Sequence, residues 1–261
     1  MIDFDKISKI INFTSQLAGR KIMELYKSYD FKLKNDGSPL TKADTEANKI
    51  ITDNISKQIP NIKIISEENN ETNDSDIYFL IDPLDGTKEF LSKNGEFTVN
   101  IALIINKEPV LGSIYVPAKD ELFWNDNKNS FIKFRNNTKK IFTKNFPDNY
   151  FSLETSRSHL DKKTQQFIKY LEPQRTNKTG SSIKICNIAR GNSNIYPRLG
   201  KICTWDIAAG HSILKKAGGE IFNLKGKKFM YKKKENLVES FIAFSEKSIP
   251  NEIITNAQKF I

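Results

Sequence analysis

A short apolar stretch that ends in acidic residues constrains the fold of this chain more than any other part of the sequence. Residues 77–90 read IYFLIDPLDGTKEF, and apolar side chains fill every position of Ile77–Ile81 before the chain reaches Asp82. Because both faces of this stretch are apolar, it predicts a strand in the interior of a sheet. Asp82 and Asp85 then lie at the carboxyl end of that strand, where open sheets tend to bind ligands.

The preceding predicted strand, IKIIS at residues 62–66, also ends in carboxylates, Glu67 and Glu68. Two neighbouring strands can therefore deliver acidic side chains to one place. The segment Gly86–Lys88 follows the second strand at once and offers exposed amides, a hydroxyl and a cation. The alternative is an ordinary turn, since Asp-Pro and Asp-Gly pairs are common in loops.

The chemistry of such a cluster points to a metal ion. Crowded carboxylates repel one another unless a cation lies between them, and oxygen ligands select hard cations such as Mg²⁺. Mg²⁺ held by few carboxylates usually also contacts a substrate phosphate, and the amides of Gly86 and Thr87 suit a phosphate oxygen. The residues alone therefore predict metal-assisted phosphoryl transfer to water.

The overall composition is that of a globular chain with a very polar surface. Of the 261 residues, 38% are hydrophobic and 28% are charged, which suits one large domain or two subdomains. No stretch approaches about 18 consecutive apolar residues, so we expect no membrane-spanning segment. The first residues lack the pattern of a secretory signal, and a cytoplasmic location is the default expectation.

The formal net charge of +10 has two interpretations. Basic proteins often bind nucleic acid, but here the lysines are scattered and the longest basic run is YKKKEN at 231–236. We therefore expect no nucleic-acid partner, and favour a positive field that attracts small anionic substrates. Cys186 and Cys203 form no CxxC motif, so neither a zinc site nor a disulfide is expected.

Hydrophobic periodicity predicts two amphipathic helices, over residues 5–28 and 41–59, with Pro60 after the second. A polar loop that begins at residue 34 separates them. Short apolar stretches between turns then predict an antiparallel meander, with strands at 97–105, 110–117, 121–125 and 130–134.

The pattern changes near residues 146–150. Beyond this point, short strands at 150–155, 220–224 and 240–245 alternate with helices at 161–171, 182–190, 205–217 and 250–260. We therefore predict an α+β subdomain over residues 1–146 and a more α/β subdomain over residues 147–261.

The segment DPLDGTKEF at 82–90 resembles the metal-binding motif of the inositol monophosphatase-like superfamily of Mg²⁺-dependent, lithium-sensitive phosphatases. Its Lys-Glu-Phe ending resembles the 3'(2'),5'-bisphosphate nucleotidases, whereas inositol monophosphatases typically have Thr-Asn-Phe. Six further blocks resemble that family in the same order and extend the likeness over roughly residues 34–220: SPLTKAD (38–44), SEE (66–68), SRSH (156–159), GSSIKICNIARG (180–191), YPRLG (196–200) and WDIAAGH (205–211).

This resemblance implies an inositol monophosphatase/fructose-bisphosphatase-like fold, an α/β (α+β) layered sandwich whose two subdomains flank a cleft with two or three Mg²⁺ ions. It implies a nucleotidase that hydrolyses adenosine 3',5'-bisphosphate to AMP and phosphate by metal-activated water, a step in sulfur metabolism. An inositol monophosphatase or a broad sugar-phosphate phosphatase is the alternative. The expected assembly is a monomer or homodimer, and peripheral attachment to the inner face of the membrane through lysines stays open.

The resemblance also implies roles for individual residues. The implied metal ligands are Glu67, Asp82, the backbone carbonyl of Leu84, Asp85 and Asp206. The implied substrate-binding residues are Gly86, Thr87, Lys88, His159, Ser181, Lys184, Arg198 and Asp206. Asp44 and Thr87 resemble the pair that orients and deprotonates the attacking water.

Several of these residues have simpler interpretations. Asp44 lies three residues after Thr41 and can close a capping box at a helix start. Thr87 can be only a turn hydroxyl, and Asp206 can be only a helix N-cap. Glu68 can be the ligand in place of Glu67. Arg198 and Lys184 can be solvated surface residues, and His211 is interpreted as packing or helix surface.

Overall fold

The computed structural model describes residues 2–26, 31–33, 39–69, 71, 74–147, 150–232, 235–238 and 240–261. Its helices are α1 (Phe4–Leu25), α2 (Lys42–Gln58), α3 (Thr87–Leu91), α4 (Lys162–Leu171), α5 (Ile183–Ala189), α6 (Thr204–Ala217) and α7 (Asn251–Gln258). Its strands are β1 (Phe31–Leu33), β2 (Pro39–Thr41), β3 (Lys63–Ser66), β4 (Ile77–Asp85), β5 (Thr98–Ile105), β6 (Glu108–Val116), β7 (Glu121–Asn125), β8 (Ser130–Phe134), β9 (Asn137–Ile141), β10 (Ser152–Ser156), β11 (Arg175–Thr179), β12 (Ile195–Arg198), β13 (Ile202–Cys203), β14 (Glu220–Phe222), β15 (Leu237–Val238) and β16 (Phe241–Phe244).

The two predicted N-terminal helices are present, and side chains cap both of them. The carboxylate of Asp3 accepts a hydrogen bond from the amide of Lys6 at 2.9 Å, which starts α1. Thr41 and Asp44 form a capping box at the start of α2. Residues 27–28 of the first predicted helix and 34–38 of the predicted loop lie outside the described residues.

The first sheet has seven strands in the order β3-β4-β5-β6-β7-β8-β9. From β4 to β9 each strand pairs antiparallel with the next, which confirms the predicted meander. Only β3 pairs parallel, with Ser66 opposite Ile81 on β4. Because parallel strands end on the same side, the acids that follow β3 lie beside those at the end of β4.

The second sheet has five strands in the order β11-β10-β12-β16-β14. Strand β10 pairs parallel with both β11 and β12, whereas β16 pairs antiparallel with β12 and β14. The four predicted C-terminal helices correspond to α4, α5, α6 and α7. The mixed strand directions suit the predicted alternation of helices and strands in this part of the chain.

The elements stack in five layers, which confirms the predicted layered sandwich. Helices α1 and α2 pack on one face of the first sheet, and α5 and α6 lie between the two sheets. Helices α4 and α7 pack on the far face of the second sheet. The predicted division at residues 146–150 stays a prediction, and residues 148–149 lie outside the described part of the chain.

Helix α6 lies close to the first sheet because both surfaces carry small residues. A side chain at Gly112 of β6 would place its Cβ only 2.3 Å from the carbonyl oxygen of Ala209. This contact requires glycine at position 112 and small residues at 208–210 of the helix. The start of α6, which carries Asp206, is thereby held near the end of β4.

Seven of the described strands were not predicted from the sequence: β1, β2, β9, β11, β12, β13 and β15, of which β2 lies in the segment predicted as a polar loop. Strands β9 and β11 carry mostly exposed polar side chains, and β12 contains Pro197.

Among the described residues, no helix is both long and apolar enough to cross a membrane. Neither Cys186 nor Cys203 takes part in a disulfide bond among the described residues. In the basic run at 231–236, residues 233–234 lie outside the described residues.

Candidate active site

A cavity of about 530 Å³ opens where β3 and β4 end, between the first sheet, α6 and the loops of the second sheet. Every predicted metal and substrate residue lines it: Glu67, Asp82, Leu84, Asp85, Gly86, Thr87, Lys88, His159, Ser181, Lys184, Arg198 and Asp206. Asp44, the remaining predicted residue, reaches the cavity wall through Thr87.

Three carboxylates from two distant parts of the chain converge in this cavity. Asp82 and Asp85 come from β4 and Asp206 from the first turn of α6, and an oxygen of each lies within 4.8 Å of the others. Burial raises the pKa of Asp85 to about 6, although Lys184 and the amide of Ser182 lower it. Burial and the charges of Asp85 and Glu67 raise the pKa of Asp206 well above its usual value.

These shifts show what the site requires. Partly buried carboxylates this close together raise one another's pKa, because Lys184 and Arg198 compensate their charge only in part, and a divalent cation can supply the remaining positive charge. An all-oxygen set of ligands suits a hard cation such as Mg²⁺. The residues present therefore fit a metal ion. The alternative of an ordinary turn is wrong, because Asp82 belongs to a buried strand.

The remaining predicted metal ligands lie around this group. The amide of Glu67 donates to the carbonyl of Ile81, which holds Glu67 beside β4, and Glu67 lines the cavity where Glu68 does not. The amide of Leu84 donates to Asp82 at 3.1 Å. The carbonyl oxygen of Leu84 lies 3.4 Å from the hydroxyl oxygen of Thr87, and Leu84 lines the cavity.

Asp44 and Thr87 form the polar pair that the sequence predicted. The Thr87 hydroxyl donates to Oδ1 of Asp44 at 3.2 Å. The other oxygen, Oδ2, accepts the amide and the hydroxyl of Thr41 at 2.7 and 2.6 Å. Asp44 is buried and has two roles in this structure. Its Oδ2 closes the capping box of α2, and its Oδ1 accepts the hydroxyl of Thr87.

The predicted substrate residues come mainly from loops of the second sheet. Arg198 donates through Nη1 to the carbonyl of His159 at 3.0 Å and through Nη2 to that of Lys201 at 2.9 Å. Lys184 is buried, and its ammonium group donates to the carbonyl of Ser181. Burial, Lys88 and Arg198 lower the pKa of His159. The interpretation of Lys184 as a solvated surface residue is wrong, whereas Arg198 is half-buried at the cavity wall.

Two alternatives on α6 are also decided by the geometry. The N-cap of α6 is Cys203, so the interpretation of Asp206 as an N-cap is wrong. His211 packs in the interior and is not a surface residue. Its Nε2 lies 2.6 Å from Glu220 and its Nδ1 lies 3.2 Å from the hydroxyl of Tyr231. Burial lowers the pKa of His211.

Sequence reasoning missed several residues of the cavity wall: Glu89, Ser156, Ser182, Ile185, Tyr196, Lys201, Ile202, Cys203, Ile207 and Leu237. Most of these residues lie inside or next to the blocks that carry the family resemblance. Their closeness to those blocks was the one sequence feature that could have identified them as cavity residues. Leu237 is different. It lies on β15, which pairs with β13 at Cys203, and no sequence pattern links these short strands.

Known proteins resemble this chain over nearly its whole length. The model of the inositol monophosphatase family matches residues 4–260. The 3'(2'),5'-bisphosphate nucleotidase CysQ of Buchnera aphidicola subsp. Acyrthosiphon pisum is 41% identical over 87% of this chain and 86% of its own. The Salmonella typhimurium nucleotidase of the same name is 36% identical over 85% of this chain and 92% of its own.

A solved structure agrees with these relatives. CysQ from Bacteroides thetaiotaomicron, described as a bacterial member of the inositol monophosphatase family, superimposes with a TM-score of 0.82 at 33% identity. The superposition covers 94% of this chain and 98% of that one.

Proposed function

This chain belongs to the inositol monophosphatase family, and we propose that within it the protein is a Mg²⁺-dependent 3'(2'),5'-bisphosphate nucleotidase. Its substrate is adenosine 3',5'-bisphosphate, and its products are AMP and phosphate. The group formed by Asp82, Asp85 and Asp206, with oxygens within 4.8 Å of one another, carries the proposal. The 36% and 41% identical relatives that bear this activity in their names support the choice of substrate.

The charge and shape of the cavity suit a nucleotide with two phosphates. Four cationic side chains line it, Lys88, Lys184, Arg198 and Lys201, and they can neutralise a phosphate that does not react. The lining also includes apolar side chains such as Ile202 and Leu237, which can contact a base. The volume of about 530 Å³ is within the range of small-molecule sites.

Asp82, Asp85, Asp206 and Glu67 would hold the Mg²⁺ ions, two or three in number, with the carbonyl of Leu84. When bound, Mg²⁺ supplies positive charge that neutralises the transferring phosphoryl group and acidifies the attacking water. The carboxylates thus act by orientation and charge. They form no covalent bond to phosphorus, because the attacking group is water.

Thr87 and Asp44 handle the proton of that water. The Thr87 hydroxyl accepts a hydrogen bond from the water and donates to Oδ1 of Asp44, at 3.2 Å. As the oxygen of water bonds to phosphorus and the bond to the ribose 3'-oxygen breaks, the proton of the attacking water moves along this pair to Asp44, and the departing 3'-oxygen takes a proton from a solvent water to become the 3'-hydroxyl of AMP. The two hydrogen bonds from Thr41 hold the carboxylate of Asp44 in that orientation.

The remaining expectations stay predictions: a monomer or homodimer, a cytoplasmic location, and lithium sensitivity. The experiment that tests the proposed function is phosphate release from adenosine 3',5'-bisphosphate and from inositol 1-phosphate, with and without Mg²⁺. We expect a kcat/KM at least about 100-fold higher for the nucleotide. A preference for the inositol ester would favour the inositol monophosphatase alternative and would leave the metal site intact.

A further inference from the structure

The loops that carry His159 and Ser181 are tied to the first sheet by carboxylates to which no role has been assigned. Glu96 follows α3, in the loop before β5, and accepts Nε of Arg157 at 2.7 Å through Oε2 and Nη2 at 2.9 Å through Oε1. The same Oε2 accepts the amide of Gly180 at 2.7 Å. One carboxylate thus joins residues 157 and 180, which precede His159 and Ser181 closely in the chain.

A second carboxylate contacts the same loop. Glu89, on α3, is buried and accepts the hydroxyl of Ser158 at 2.6 Å. Arg157 also donates through Nη2 to the carbonyl of Lys178 at 2.7 Å, which ties the loop to the end of β11. His159 is therefore preceded by two residues, Arg157 and Ser158, whose side chains both donate hydrogen bonds to other parts of the chain.

The conformation of Ser181 shows why such contacts matter. Its φ of 47° lies in the left-handed region, which residues other than glycine adopt only when their surroundings hold them there. The flanking amides are both bound, Gly180 by Glu96 and Ser182 by Asp85 at 2.6 Å. The hydroxyl of Ser181 is buried, lines the cavity and has no hydrogen-bond partner among the described residues.

Close packing leaves these loops little freedom. A side chain at Gly180 would place its Cβ 2.6 Å from Cγ of Glu89 and 2.8 Å from the carbonyl oxygen of Glu96.

The pKa of Glu96 is lowered, because the hydrogen bonds from Arg157 and Gly180 outweigh the effect of burial. Glu96 therefore stays ionised and bound at neutral pH.

We propose that Glu89, Glu96, Arg157, Ser158 and Gly180 form a positioning clamp that holds His159 and Ser181 in the geometry that binds the nucleotide. This deepens the proposed function and rests on it. The five clamp residues make no described hydrogen bond or ion pair with the acidic cluster or with the Asp44–Thr87 pair, and the loop meets the cluster only beyond Ser181, where the amide of Ser182 binds Asp85. The main effect of the clamp is therefore on substrate affinity.

The kinetic test compares Glu96→Gln, Arg157→Gln and the double variant. Each single variant should raise KM for adenosine 3',5'-bisphosphate about tenfold with kcat changed less than twofold, a loss of about 1.4 kcal/mol. The double variant should show a rise well below 100-fold, because both changes remove the same Glu96–Arg157 ion pair and only the contacts with Gly180 and Lys178 are separate. Glu108→Gln is the matched control, because it removes the charge of a glutamate that pairs with Lys215 outside the cavity. The KM of this variant for adenosine 3',5'-bisphosphate should not change.

An unchanged KM in both single variants, a rise of about 100-fold in the double variant, or a fall in kcat at constant KM would each overturn the clamp. Arg157→Lys keeps the charge but loses the two-pronged contact, and we expect a KM rise of about threefold. This milder change keeps the test decisive if Glu96→Gln does not fold.

A second readout needs no nucleotide. The chain has two histidines, His159 and His211, whose ring signals can be followed by NMR as pH changes. His159 faces Lys88, Arg198, Glu89 and Lys184, and burial lowers its pKa. Glu96→Gln should raise that pKa toward about 6.5 without moving that of His211. An unchanged His159 would overturn the clamp, whereas a wild-type enzyme inactive on the nucleotide would overturn only the proposed function.

Discussion

Replacing Asp85 with asparagine should abolish activity and yet stabilise the metal-free protein. The pKa of this carboxyl is raised from 3.8 to about 6 in the folded chain, chiefly by burial. The protonated carboxyl of Asp85 therefore adds to the free energy of unfolding below about pH 4, and this stabilisation is lost as pH rises through about 6. A pKa difference of about 2 corresponds to about 3 kcal/mol, and screening at this half-buried site reduces the gain to about 1–2 kcal/mol.

Asparagine can keep the native hydrogen bonds of this position. Oδ2 of Asp85 accepts both the amide of Ser182 at 2.6 Å and the side chain of Asn100 at 3.3 Å, and the single amide oxygen of asparagine can take both. For a chain of this size, a gain of about 1–2 kcal/mol raises Tm by roughly 3–6 °C.

The assay is thermal unfolding at pH 7.5 in excess chelator and again in millimolar Mg²⁺. In chelator we expect Asp85→Asn to melt above the wild type, and in Mg²⁺ only the wild type should gain stability from the added ion. Asp53→Asn, on the exposed face of α2, is the control and should change the free energy of unfolding by less than about 0.5 kcal/mol. A variant that melts at or below the wild type in chelator would refute the reasoning.

Three further predictions concern catalysis and substrate binding. Thr87→Ala should lower kcat about 100-fold at unchanged Tm, while Thr87→Ser should keep activity within about tenfold, and equal losses for both would exclude a role for the hydroxyl. Asp44→Asn should lower kcat similarly and also lower stability by about 1 kcal/mol, because Asp44 completes the cap of α2 as well; an unchanged Tm would contradict this double role. Arg198→Ala should raise KM for the bisphosphate about tenfold with little change in kcat, since Arg198 holds the carbonyls of His159 and Lys201; unchanged steady-state kinetics would contradict it.

The buried strand and its acids were predictable because their pattern is local. The apolar run Ile77–Ile81 needs a covered sheet on both faces, and strand β4 is buried over most of its length. The helices were predictable for the same reason, since one apolar face repeats along α1 and α2. In contrast, β9 is exposed at four of its five positions and is held by backbone hydrogen bonds, which leave no side-chain pattern.

The convergence of Asp206 with Asp82 and Asp85 was not predictable from spacing. It depends on the close contact of Gly112 with Ala209, and neither residue carries a signal of its own. Only the family resemblance pointed to Asp206. Glu96 was missed because its role depends on Arg157, 61 residues further along the chain. Local sequence predicts elements and motifs, whereas contacts between loops require the packed fold.

The most direct test of the central claim is the anomalous density of Mn²⁺ in crystals of the protein soaked with that ion. We predict at least one strong peak between Asp82, Asp85 and Asp206, with their oxygens at about 2.2 Å from the ion, and its loss in Asp206→Asn. Peaks only elsewhere on the surface, or none at millimolar Mn²⁺, would contradict the assignment of this acidic group as the metal centre of a phosphatase.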